Sequence, residues 1–271
     1  MAIKAGIDAI FGTRHASRMK FTTVILTLAA AISLQTAALA QTDTPVLHTN
    51  TAIIPVPRTG GATNRQSLVL QRAKDHPGDY DIEFIGDSIT QGWEGAGKKV
   101  WQDYYGKRKV INMGVGGDRT QHVLWRFEEG QLDGIHAKVA VLMIGTNNSN
   151  KDDNSEADIL EGVTAIVNQI RQRQPDTKII LMDIFPRGKT FSVQRGKILQ
   201  VNEALAKLDD GKNIFYIDIG PQLIEKDGSI STSMMHDYLH PGEAGYKIWA
   251  GAIEPRLQQL LRKKHWWQRI A

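Results

Sequence analysis

Apolar runs of strand length alternate with stretches of helical periodicity through most of the chain. The apolar runs occupy residues 82–85, 110–113, 139–144, 178–184 and 214–219. Helical patterns cover about 65–75, 120–130, 156–173, 192–209 and 243–263. Strands that alternate with helices predict one α/β domain, with a parallel sheet of about five strands between two helix layers. The uninterrupted run 139–144 is typical of a central strand covered on both faces.

The ends of the chain differ from this pattern. A basic start near Met19 is followed by the apolar run 24–34 and by Ala38-Leu39-Ala40, which predicts a secretory signal (residues 1–40) cleaved after Ala40. The apolar run is shorter than the about 20 residues that a membrane span prefers. We therefore expect an exported protein, periplasmic or extracellular. Residues 41–79 are predicted as an N-terminal strap and helix, 80–262 as the main domain, and 263–271 as a basic tail.

Charge and cysteine content exclude several functions. Four of the 33 basic residues but only one of the 29 acidic residues lie in positions 1–40, so the remainder is nearly neutral. This balance gives no support to nucleic-acid binding through a basic face. The chain has no cysteine, which excludes a disulfide framework, a thiolate metal site and a cysteine nucleophile.

A serine follows the first apolar run directly, in the segment Gly86-Asp87-Ser88-Ile89-Thr90. Open α/β sheets present their reactive groups at the carboxyl ends of strands, so Ser88 is a candidate nucleophile. The alternative is a helix N-cap, a role that suits either Asp87 or Ser88. Position 90 is threonine rather than glycine, so the G-x-S-x-G nucleophile elbow is absent.

Two polar turns follow the second and third apolar runs. In the glycine-rich turn 114–118, the N–H of Gly117 is a candidate oxyanion donor, and a tight strand-to-helix connection is the alternative. A further alternative is that the turn binds a phosphate, but its glycine spacing and the lack of a P-loop lysine argue against a nucleotide site. The side chain of Asn147 is a second candidate donor, or a residue of an ordinary turn.

An acid and a base lie three positions apart near the end of the chain. His240 is a candidate general base for Ser88, and Asp237 a candidate to orient its imidazole. One alternative is an ordinary polar turn before the last helix. Another is a metal site made by His236, Asp237 and His240, but Pro241-Gly242 argues against a continuous helix there, and the H-E-x-x-H pattern is absent.

Taken together, these motifs resemble those of SGNH hydrolases of the GDSL esterase family. Within it the chain is most similar to the catalytic subunits of brain-type platelet-activating-factor acetylhydrolases and to bacterial exported relatives. The resemblance extends over about 80–260 and rests on segments 84–88, 112–118, 122–126, 145–148, 173–175, 185–188 and 237–240. It implies a flavodoxin-like three-layer α/β/α sandwich, with no metal or organic cofactor. The residues that it implies for the site are Ser88, Gly117, Asn147 and His240, with Asp237 as the triad acid and Asp87 in support.

The expected substrate follows from the resemblance and from two features in which this chain differs from the acetylhydrolases. An export signal is foreign to the intracellular acetylhydrolases, and residues 91–95 are more like exported esterases that act on acetylated sugars. We therefore expect a serine esterase for small acyl groups, most simply acetyl, on carbohydrates or similar molecules. The alternatives are a lysophospholipase or thioesterase, and a binding module without turnover. Trp93 is either a platform on which a sugar stacks or a packing aromatic.

Two interactions beyond the substrate are also predicted. Dimerisation with a second copy of the chain is implied by the resemblance alone. The basic, tryptophan-containing stretch 262–269 suits contact with an anionic membrane surface or a cell-wall polymer. The alternative for this stretch is a solvated terminus.

Overall fold

The computed structural model of the protein describes residues 48–151 and 153–262. Within this part of the chain, the residues from Asn50 onward belong to one compact unit. The predicted signal segment and the basic tail 263–271 lie outside the described residues. No helix among residues 48–151 and 153–262 is long and apolar enough to cross a membrane.

The core of the fold is a five-stranded parallel sheet with strand order β2-β1-β3-β4-β5. Its strands are β1 (Gly78–Gly86), β2 (Val110–Gly114), β3 (Ile135–Met143), β4 (Lys178–Met182) and β5 (Ile214–Ile217). This is the doubly wound, flavodoxin-like order, in which the chain leaves β1 on one side for β2 and returns on the other for β3. The predicted α/β fold is therefore confirmed. Ligands of such sheets bind at the carboxyl ends of the strands that flank this reversal.

Seven α-helices connect and cover these strands within the described residues. They are α1 (Thr63–Asp75), α2 (Ser88–Gln91), α3 (Lys98–Tyr105), α4 (Thr120–Glu128), α5 (Glu156–Arg173), α6 (Val193–Leu205) and α7 (Glu243–Leu261). Short 3-10 helices occur at Thr51–Ile53, Gly60–Ala62, Gly92–Glu94, Ala206–Leu208 and Gly220–Gln222. The sequence pattern predicts five of the α-helices. It misses α2 and α3, which are too short to show a clear helical period.

Alternation along the strands divides the core between the two faces of the sheet. Phe84 and Val141 belong to a buried cluster with side chains of α3 and α7. Ile85 and Leu142 belong to a second cluster with side chains of α4, α5 and α6. Both faces of β1 and β3 are therefore covered, which is why the run 139–144 is apolar without interruption.

Trp93 is part of the core on the α7 side. Its side chain is only 1% exposed, and its ring centroid lies 4.6 Å from that of Tyr246 and 5.1 Å from that of Trp249. A Cβ at Gly92 would overlap the Tyr246 hydroxyl, which donates to the Ile89 carbonyl at 2.7 Å. The glycine thus lets α7 pack closely against the turn after α2. The sugar-platform interpretation of Trp93 is therefore wrong, and the packing alternative is observed.

A buried carboxyl group makes stability depend on pH. Glu83, in the middle of β1, is fully buried, and burial raises its pKa to about 8 although the Gln174 side chain opposes the shift. Between the unfolded value of 4.5 and about 8, the folded state keeps a proton that the unfolded state releases. The free energy of unfolding therefore falls as pH rises through this window.

We expect Glu83→Gln to remove this part of the pH dependence. Between pH 5 and pH 8, the free energy of unfolding of the variant should rise relative to that of the wild type by on the order of 1–3 kcal/mol. Urea unfolding at the two pH values measures the gain, with Glu203→Gln at an exposed position of α6 as the control. If the free energy of unfolding changed equally with pH in the wild type and in Glu83→Gln, the result would contradict a protonated Glu83.

Candidate active site

A tight turn at the end of β1 presents Ser88. Asp87 caps the short helix α2, since its Oδ1 accepts the N–H of Ile89 at 2.9 Å. A Cβ at Gly86 would overlap both Thr90 Oγ1 and the Met143 carbonyl, so this turn requires glycine. Ser88 is the first residue of α2, and the first N–H groups of a helix have no partner within the helix. Its backbone N–H is therefore available to a ligand at the carboxyl edge of the sheet.

Ser88, His240 and Asp237 form a chain of hydrogen bonds. Ser88 Oγ lies 2.9 Å from His240 Nε2, and His240 Nδ1 lies 2.6 Å from Asp237 Oδ2. The other carboxylate oxygen of Asp237 accepts the backbone N–H groups of His240 at 2.8 Å and Leu239 at 3.1 Å. The loop before α7 thus presets the imidazole, with one nitrogen on the acid and one on the hydroxyl. This is the geometry of a catalytic triad.

The same geometry argues against the metal-site alternative. Both ring nitrogens of His240 are engaged in hydrogen bonds to Asp237 and Ser88. The third candidate ligand, His236, has its Nε2 3.8 Å from Asp237 Oδ2 and a largely exposed side chain. The loop is also not the first turn of α7, which begins at Glu243. The polar residues of this loop are thus organised around Ser88.

The two carboxylates near Ser88 differ in their electrostatics. Burial acts to raise the pKa of Asp237, but hydrogen bonds from the side chain and backbone of His240 and from Leu239 outweigh it and bring the pKa to about 2. Asp237 is therefore ionised at neutral pH and can stabilise an imidazolium. Burial raises the pKa of Asp87 to about 7, opposed by the Ile89 N–H and by the charges of His240 and Arg187. The structure thus places Asp87 beneath the site as a helix cap.

The glycine-rich turn after β2 lies against α2. The N–H of Gly116 donates to Gln91 Oε1 at 2.7 Å, and the N–H of Val115 donates to the Gly86 carbonyl at 3.1 Å. A Cβ at Gly116 would lie 3.9 Å from Ser88 Cβ, so the turn borders the hydroxyl. Gly117 has φ +74°, in the left-handed region that favours glycine. No described residue accepts its N–H, which leaves this donor for a ligand.

Asn147 joins the same turn from the end of β3. Its Nδ2 donates to the backbone carbonyl of Asp118, the residue after Gly117, at 2.8 Å. A primary amide has two hydrogens, so the second N–H of Asn147 is available to a ligand. The carboxyl ends of β1, β2 and β3 therefore bring the predicted Ser88, Gly117 and Asn147 to one edge of the sheet.

Comparison with known proteins identifies this arrangement. The model of the GDSL-like lipase/acylhydrolase family matches residues 84–248, which include all the predicted site residues. The chain belongs to this family. It is a carboxylic-ester hydrolase, and the resemblance seen in the motifs is confirmed.

Relatives of this acylhydrolase share both sequence and fold. The platelet-activating factor acetylhydrolase IB subunit alpha1 of Homo sapiens is 35% identical over 182 residues, which cover 67% of this chain and 77% of the relative. A GDSL-like lipase from Bacteroides thetaiotaomicron superposes with a TM-score of 0.58 at 20% identity, over 73% of this chain and 98% of that one. An acetylxylan esterase from Geobacillus stearothermophilus gives 0.52 at 20% identity, over 68% and 95%. The two superpositions support the fold alone.

Sequence reasoning assigned no role to two arginines that support the site of this acylhydrolase. Arg187, just beyond β4, donates from Nη1 to the Thr146 carbonyl and to Asn150 Oδ1, both at 3.0 Å. It thereby fixes the turn that carries Asn147. Arg126 of α4 is fully buried and ion-paired with the fully buried Asp118, beneath the glycine turn. The sequence feature that could have pointed to Arg187 is its position just after β4, at the same edge of the sheet as the other site residues.

Proposed function

We propose that this acylhydrolase is a serine esterase that removes small acyl groups, most simply acetyl, from carbohydrates or similar alcohols. The observation that carries the proposal is the Ser88–His240–Asp237 hydrogen-bond chain beside the turn of Gly117, whose N–H has no acceptor in the described part of the chain. In this proposal Ser88, His240 and Asp237 are the catalytic residues, and Ser88, Gly117 and Asn147 supply the oxyanion donors. Asp87 supports the turn that holds Ser88.

The geometry suits a two-step acyl transfer. Ser88 Oγ attacks the ester carbonyl while His240 Nε2, 2.9 Å away, takes its proton. Collapse of the tetrahedral intermediate breaks the carbon–oxygen bond to the alcohol, which leaves with the proton from His240. A water molecule then attacks the acyl-serine with His240 again as the base, and this releases the carboxylic acid and restores Ser88. Throughout, the ionised Asp237 stabilises the positive imidazole.

The proposed oxyanion donors come from three separate strand ends, and this arrangement makes the oxyanion hole rigid. The Ser88 N–H belongs to a capped helix start, the Gly117 N–H to a turn, and the Asn147 amide is held by the Asp118 carbonyl. Because these donors are fixed before substrate arrives, they need little reorganisation in the transition state. One such donor typically contributes about 10²–10³-fold to turnover.

The names of relatives support a small acyl group. The human relative is an acetylhydrolase subunit, and the esterase from Geobacillus stearothermophilus is an acetylxylan esterase. The predicted signal segment supports export and thereby a substrate outside the cytoplasm, such as an acetylated glycan. A lysophospholipase or thioesterase would use the same catalytic residues and differ in the length of its acyl group.

We expect the kcat/KM of the protein on p-nitrophenyl esters to be highest for acetyl. It should fall by at least about 10-fold toward octanoyl and palmitoyl, because an acyl site that fits acetyl excludes longer chains, and one methylene in a pocket is worth about 1–3 kcal/mol. Release of acetate from acetylated xylo-oligosaccharides then tests the carbohydrate part of the proposal. A maximum at long chains would instead support the lysophospholipase or thioesterase alternative. Hydrolysis that persists unchanged in Ser88→Ala would contradict the proposed mechanism.

A further inference from the structure

Arg58, from the N-terminal strap, lies beside the oxyanion turn. The strap is fixed to the domain, because the Val56 N–H donates to the Gln121 carbonyl at 3.3 Å and the Arg58 N–H donates to Gln66 Oε1 at 2.7 Å. These contacts bring Arg58 Nη2 to 2.7 Å from the position that a Cβ on Gly117 would occupy. The guanidinium therefore lies next to the backbone of Gly117, whose N–H is an oxyanion donor in the proposed function.

The hydrogen-bonding capacity of this guanidinium is unused. Among the described residues, no acceptor takes a hydrogen bond from its Nε, Nη1 or Nη2, although Nε is buried. The nearest carboxylate is that of Asp118, with Oδ1 3.7 Å from Nε. Asp118 is fully buried and is already the ion-pair partner of Arg126 through its other oxygen. A guanidinium has five donors in a rigid fork. Because Nε is buried, the four N–H groups of Nη1 and Nη2 are the ones that remain for a ligand.

Neighbouring arginines have closer carboxylate partners than Arg58 has. Arg65 and Arg72 both bind the carboxylate of Glu94 at 2.7–2.9 Å, and Arg119 binds Asp153 at 2.6 Å. The carboxylate of Asp118 balances Arg126. Among the described residues, the guanidinium of Arg58 comes no closer than 3.7 Å to a carboxylate, and it shares that carboxylate with Arg126. The Arg58 side chain is 23% exposed. Ser88 and Arg58 border adjacent residues of one turn, because a Cβ at Gly116 would lie 3.9 Å from Ser88 Cβ and one at Gly117 would lie 2.7 Å from Arg58 Nη2.

We propose that Arg58 binds an anionic group, a carboxylate or a phosphate, on the alcohol part of the ester substrate. The inference rests on the proposed function, in which the acyl group is acetyl and carries no second functional group. A charged group must then lie on the alcohol part. Guanidinium matches carboxylate and phosphate through paired, charge-assisted hydrogen bonds, which are about twice as strong as neutral ones. The preferred substrates are therefore acidic esters, such as acetylated acidic sugars.

Three acetate esters of similar shape test this inference: 4-acetoxybenzoate, 4-acetoxyphenyl phosphate and the neutral 4-acetoxybenzamide. The readout is the ratio of kcat/KM for each anionic ester to that for the amide. Comparing this ratio between variants removes the intrinsic reactivity of each ester. Arg58→Gln should lower the ratio by about 10-fold or more for at least one anion. Arg58→Lys, which keeps a point charge without the fork, should give an intermediate ratio.

Arg119→Gln is the matched control, because it removes a paired cation from the same surface. Its ratio should stay within about twofold of wild type, and the preference of the wild type for anionic esters should weaken as salt screens the charges.

The two anionic esters distinguish the possible substrates. If only the carboxylate ester loses its advantage in Arg58→Gln, the natural substrate carries a carboxylate, and if only the phosphate ester does, it carries a phosphate. An unchanged ratio in Arg58→Gln for both anions, with Ser88-dependent hydrolysis intact, would overturn the role of Arg58 alone. The same holds if Arg119→Gln lowers the ratio equally. Absence of Ser88-dependent hydrolysis of all three esters would overturn the proposed function as well.

Discussion

Replacing Ser88 by alanine is expected to lower kcat for p-nitrophenyl acetate by at least about 10⁴-fold. In the proposed mechanism, the change removes the atom that forms the acyl-enzyme and the hydroxyl proton that His240 accepts. The fold should be unaffected, since among the residues that the structure describes the hydroxyl hydrogen-bonds to His240 alone. Steady-state kinetics at neutral pH measures the loss, with a burst of p-nitrophenol in the wild type as a sign of the acyl-serine.

Ser67→Ala, at an exposed position of α1, is the control for this experiment. It changes the same atoms away from the site and should retain full activity. If Ser88→Ala kept activity within about 10-fold of wild type, His240 and Asp237 would have to activate water directly. That outcome would contradict the acyl-serine mechanism.

Replacing Arg126 by methionine is expected to lower the free energy of unfolding by about 3–5 kcal/mol. The guanidinium is fully buried, pairs with Asp118, and also donates from Nε to Gln131 Oε1 at 2.5 Å. Its removal leaves the buried carboxylate of Asp118 with the more distant Arg58 Nε, 3.7 Å from Oδ1, as its remaining cation. A buried charge that loses its close partner is the costly case. Urea unfolding at pH 7 measures the change.

A second substitution separates this charge effect from packing. Asp118→Asn in the Arg126→Met background removes the stranded charge and should recover part of the loss. The backbone carbonyl that holds Asn147 is kept in that double variant. Arg119→Gln, which breaks a partly exposed ion pair, should cost no more than about 1 kcal/mol. A loss below about 1 kcal/mol for Arg126→Met itself would contradict the importance of the buried pair.

The sequence by itself determined the layered fold and most of the site. Apolar periodicity is a local property, so the strands and the five longer helices could be located from it. The parallel sheet then places the residues that follow β1, β2 and β3 at one edge, which is why Ser88, Gly117 and Asn147 could be singled out together. Asp237 and His240 could be paired because both lie in one short loop. Their roles in catalysis stay predictions that the experiments above test.

Only the tertiary structure decided which side chains meet across large separations in the chain. Trp93 follows the candidate nucleophile Ser88 closely enough to suggest substrate contact, yet it packs in the core against Tyr246 and Trp249 of α7. Arg58 lies in a segment whose composition indicates a surface strap, and hydrogen bonds to α1 and α4 bring it to Gly117. Burial and pairing of a side chain depend on what packs against it from elsewhere in the chain. Periodicity and spacing record only the local pattern, so these contacts could not be read from them.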